Sequence, residues 1–152
     1  MNWAGPDYAA TLQIPVVSGR DLSADDRFDR PRVALVSEAM ARHYWKARDP
    51  VGGRFMFGAP RPDQEPQWIS VVGVIKDIKQ RSLTERPQPS VVIPIMQFYS
   101  STAVLNVRAA GGLDSISGAL QQAVREIDPR VPFYNVSLLA DHTKAATFQQ
   151  KL

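Results

Sequence analysis

The chain has 152 residues, 44% of them hydrophobic and 22% charged, with 18 lysines and arginines against 15 acidic side chains and no cysteine. That length suits one domain with a proper core or two small lobes, and no apolar run approaches the roughly 20 residues that a bilayer-spanning helix needs. A net charge of +3 is too small a surplus to suggest a nucleic-acid partner without a concentrated patch, and the missing cysteines exclude disulfides, thiol nucleophiles and thiolate metal sites.

Met1 to Pro6 has neither a basic n-region nor an apolar h-region, so no secretory signal is expected in this stretch. Tyr8 to Leu12 reads as a helical turn, Ile14 to Val17 as a short strand, and Ser18-Gly19-Arg20-Asp21 as a turn. Ser23 to Arg32 mixes charges of both signs around Pro31 and reads as a solvated connection.

Val33-Ala34-Leu35-Val36 is a buried type of strand, and Ser37-Glu38 follows it as an N-cap hydroxyl and a first-turn carboxylate. The helix they start carries Met40, Ala41, Tyr44 and Trp45 on one face and is expected to run to Asp49-Pro50, since a residue before proline leaves the α region. Gly52-Gly53 turns the chain into an expected strand at Arg54-Phe55-Met56-Phe57, and Gly58 to Gln67 is a proline-rich loop.

Trp68 to Ile78 is the organising stretch: β-branched and apolar at both parities, it predicts a strand covered on both faces, with Gly73 marking a bulge or a close neighbour. Lys76 to Pro89 is expected as an exposed excursion with Leu83 tucked back. Val91 to Ile95 resumes as a strand in which Pro94, lacking a ladder donor, points to a strand end or a sheet edge.

Thr102 to Arg108 alternates, with Ala103, Leu105 and Val107 on one side. After Gly111-Gly112 comes the clearest helix, capped near Asp114 or Ser115, striped by Leu113, Ile116, Leu120, Val124 and Ile127 and stopped at Asp128-Pro129. Phe133 to Leu138 returns as a strand, completing a β-α-β unit of the kind found in half of a ferredoxin-like fold. Leu139 to Leu152 reads as a helix with no stop signal, which suggests continuation beyond the given sequence. The fold class is therefore α+β: a mixed-sheet α/β lobe and a β-α-β lobe.

Chemistry is sparse. His43 lacks the companions of an H-E-x-x-H helix and His142 has no partner at ligand spacing, so no metal is expected. Asp141-His142 is adjacency on one helix, where neighbours point about 100 degrees apart, and no G-x-S-x-G or S-x-x-K occurs. No Walker A or G-x-G-x-x-G sequence offers a phosphate cradle, and Asp25, Asp26 and Asp29 lack the rest of a calcium loop. The basic run from Lys76 to Arg86 has no interleaved aromatic for base stacking. No catalytic residue, cofactor or metal is expected.

One ordered set of residues is more informative: Ser37 and Glu38 after Val33–Val36, then Ala41 and Trp45, then Asp49-Pro50-Val51-Gly52, then Val71-Val72-Gly73-Val74 with Asp77, and finally Pro89 with Pro94. Together with Gln13-Ile14-Pro15 and Gly19-Arg20-Asp21, it resembles the extracytoplasmic (periplasmic) core domain of MacB/FtsX-type ABC transporter permeases, from about Tyr8 to the end. The family often has Asn at position 37, Pro at 46 and aromatic residues near 92 and 95. The resemblance implies a non-catalytic domain between the first and second transmembrane helices. Residues 1–31 would be a lead-in segment, 32–99 the small α/β lobe, 100–138 a porter-like lobe and 139–152 a stalk helix. It also implies partners: the permease's own transmembrane helices, an ABC ATPase subunit or domain, a second permease copy and a periplasmic adaptor, at the outer side of a bacterial inner membrane. The alternative is a stand-alone ferredoxin-like ligand-binding or enzyme module, which would need a deep pocket with convergent polar groups.

Overall fold

A computed structural model describes residues 2–59, 65–78, 86–98, 102–109 and 113–139. In chain order the elements are β1 (Asn2–Ala4), α1 (Tyr8–Leu12), β2 (Val16–Gly19), β3 (Val33–Ser37), α2 (Glu38–Tyr44), β4 (Arg54–Phe55), β5 (Ile69–Ile75), β6 (Val91–Pro94), a 3-10 turn (Ile95–Gln97) and α3 (Leu113–Ile127). The sheet runs β1-β6-β3-β5-β2, with β4 also on β5. It is mixed: β3 lies parallel to β5 and antiparallel to β6, β1 is parallel to β6, and both β2 and β4 are antiparallel to β5.

Alternation along the strands divides the core between the two faces of the sheet. Ala34, Val36, Ile69, Val71, Val74, Val91 and Ile93 pack with Met40 of α2, and Ala41, Trp45, Val51, Phe55 and Phe98 flank them. Leu35, Ile75 and Val92 belong to a second cluster with Ala4, Ala9 of α1 and Leu22. Every residue of β3 and of β6 is buried, as expected of strands covered on both faces.

One edge of β5 takes β3; the other is shared by successive short pieces. Val16–Gly19 pairs its C-terminal half, Arg20 N–H donates to the Val72 carbonyl at 2.9 Å, and Gly52 and Gly53 exchange two bonds of 2.8 Å with Val71. Arg54 and Phe55 then pair with Ser70 and Ile69. Gly19 and Gly73 are register partners, and a Cβ on Gly73 would lie far inside contact distance of the Arg20 carbonyl and 3.0 Å from a Leu35 methyl.

Several expectations are corrected. Residues 1–31 supply two strands and a helix to the sheet's layers, and the second strand begins at Val16, so Ser18 and Gly19 are paired strand rather than turn. The connection after it is anchored, with Leu22 and Asp26 both buried. Helix α2 stops at Tyr44, well before Asp49-Pro50, because Lys46 takes a left-handed φ of 53° and Arg48 N–H turns back to the Trp45 carbonyl. The strand at 54–57 is only two residues long, and Phe57 lies exposed. Of the two positions expected for Pro94, the strand end holds, since it ends β6, and the sheet edge does not, since β6 lies between β1 and β3.

The described residues fall into two compact units, divided near residue 106. In the second, α3 matches the expected helix, but 133–138 is not a sheet strand, and neither is 102–108, which straddles the division. Two strands around one helix expose both sheet edges, and a pair alone is marginal in water. The stretch from 140 to 152 lies outside the described residues, as do 60–64 and 79–85.

Candidate functional site

The first place to look is the C-terminal end of the parallel pair β3 and β5, because open α/β sheets hold ligands there. Ser37 is fully buried; its Oγ accepts from Met40 N–H at 3.2 Å and from Ser90 N–H at 3.0 Å, and donates to the Gln88 carbonyl at 3.5 Å. Asp77, just past β5, accepts from Ala39 N–H at 2.6 Å through Oδ1 and from Arg42 at 2.7 Å through Oδ2. Lys76 meets Glu38 at 2.9 Å. The start of α2 is thus capped twice, once from β3 and once from β5, and its polar groups are taken up in joining the helix to the sheet. Ser90 Oγ is the buried polar side-chain atom left without a partner among the described residues.

The remaining sequence-predicted residues lie elsewhere. Asp49 Oδ1 accepts from Val51 N–H at 2.9 Å, an Asx turn that delivers Pro50 and Gly52, at φ 80°, to the edge of β5. Trp45 covers this turn: a Cβ on Gly53 would lie 2.5 Å from its Nε1. Gly73 and Pro94 sit within the sheet, on β5 and β6.

Arg20 and Asp26 form a two-pronged pair at 2.8 and 2.7 Å, and Ser23 N–H adds a third bond at 2.8 Å. Burial alone would push the Asp26 carboxyl up; the Arg20 and Ser23 hydrogen bonds outweigh it and hold the group below the usual aspartate range. The pair pins the loop that follows Gly19.

A feature that sequence reasoning missed lies on the α2 face of the sheet. Met40, Tyr44, Trp45, Arg54, Phe55, Met56, Phe57, Pro89 and Val91 enclose an open groove of about 510 Å³. Its aromatic rings meet edge to face: Tyr44 with Trp45 and Trp45 with Phe55 at 6.3 Å, Phe55 with Phe57 at 5.4 Å. Tyr44 and Phe57 are 65% and 53% exposed. The signal was present in the ring density from Tyr44 to Phe57, but its members come from α2 and the residue after it, from β4 and the two residues after it, and from Pro89 and Val91 around the start of β6. Among the described residues no group of three or more His, Asp or Glu is placed to hold a metal, and no helix is long and apolar enough to cross a membrane.

A family model described as the MacB-like periplasmic core domain matches residues 1–128. No curated protein matches the chain. Among solved structures, the periplasmic region of MacB from Actinobacillus actinomycetemcomitans superposes with a TM-score of 0.56 at 14% identity, over 81% of this chain and 54% of that one. The extracellular domain of the noncanonic ABC-type transporter YknZ from Gram-positive bacteria gives 0.51 at 18% identity, over 82% of this chain and 60% of that one. The chain therefore spans little more than half the length of these structures, and the likeness is one of fold.

Proposed function

Since the chain belongs to the MacB-like periplasmic core domain family, we propose that it is the extracytoplasmic domain of a MacB/FtsX-type ABC transporter permease and that it works by moving, without chemistry of its own. It stands between the first and second transmembrane helices and couples ATP hydrolysis on the other side of the membrane to substrate export or lipoprotein release. Its partners are the permease's transmembrane helices, the ABC ATPase, a second permease copy and a periplasmic adaptor. The segment 32–99 acts as the small lobe, 100–138 as the porter-like lobe and 139–152 as the stalk.

The observation that carries this reading is the condition of the polar groups where an enzyme of this sheet type would keep its site. Ser37, Glu38, Lys76 and Asp77 are bonded to one another's elements and to Arg42, which suits a part that must move as a rigid piece. The alternative enzyme or binding module calls for convergent polar groups in a deep pocket; the groove beside α2 is open and has Arg54 as the one charged residue in its lining, with its guanidinium over Trp68.

The test is made in the intact transporter. Replacing Ala145-Ala146 with Gly-Pro would break a helical stalk at a cost of about 3 kcal/mol or more. Nucleotide hydrolysis is expected to persist while export falls. Full export with the helix shown by circular dichroism of the segment to be broken would overturn the lever and leave a passive docking domain.

A further inference from the structure

We draw no further inference here: the strongest candidate, the open groove of about 510 Å³ between α2 and β4, is an unpartnered apolar surface, and nothing in the structure shows what covers it.

Discussion

At its C-terminal half β5 meets backbone: Gly73 lies against the Arg20 carbonyl and the Cα of Gly19, and a single methyl group would have nowhere to go. Its N-terminal half is paired with backbone too, but the neighbour there, β4, is only two residues long and borders the open groove of about 510 Å³ beside α2. The sheet is therefore closed tight at that crossing and open beside α2 and β4. The difference comes from what lies across the edge. Two glycines let main chains close to touching distance, whereas beside α2 the rings of Trp45 and Phe55 meet edge to face at 6.3 Å and leave space open.

The largest expected effect breaks the tight end. Gly73→Val should cost about 3 kcal/mol, the upper part of the overpacking range, because the obstacle is a carbonyl that cannot rotate away. The urea midpoint measures it, with Phe57→Ala at the loose end expected to cost under about 1 kcal/mol. Equal midpoints for parent and Gly73→Val would erase the distinction between the halves.

Next comes the anchor just past that end. Asp77→Ala removes the acceptor of Ala39 N–H and the partner of Arg42, which should cost about 1 to 2 kcal/mol in thermal unfolding. No loss would mean that Ser37 alone caps α2.

A pH series sharpens the comparison further. Asp26 is held below the usual aspartate range when folded, so its pairing with Arg20 stabilises at neutral pH. That contribution fades as pH falls through the ordinary aspartate range toward the lower folded value. Asp26→Asn should lower neutral stability and flatten the acid limb of a stability-against-pH curve. A limb as steep as the parent's would assign acid sensitivity to other carboxylates.

The smallest effect is expected at Asp49, whose Oδ1 serves only the Val51 N–H among the described bonds. An asparagine carbonyl offers the same acceptor, so Asp49→Asn should move the midpoint by less than about 0.5 kcal/mol. A larger loss would show that the charge itself is used.

Local signals explain what was legible in advance. Ser37 with Glu38 announced α2, the β-branched run announced β5, and the stripe from Leu113 to Ile127 announced α3, since each depends on neighbours within a few residues. The end of α2 was hidden because Lys46, a residue with no special taste for φ above zero, is turned there by tertiary packing of Trp45. Strand β1 was hidden because three residues carry almost no period and exist as a strand only beside β6. The segments 102–108 and 133–138 erred in the other direction. Val104 is 83% exposed and Tyr134 67%, so alternation without strands to pair with did not make a sheet. The groove escaped notice for the same reason as β1: its walls meet only after distant pieces have joined.

The pairing of Asn2, Trp3 and Ala4 with Val92, Ile93 and Pro94 also sets an order of events. A loop that long must close before its few hydrogen bonds are gained, and contacts of such separation form late. The β3, α2 and β5 pieces can assemble while β6 is still being made, but the opening strand has no template until Pro94 has followed. During synthesis it waits, half-exposed Trp3 included, and in amide exchange its protons should be the first of the sheet to be lost. Strand β1 is thus the last part of the sheet to be fixed and the first to let go.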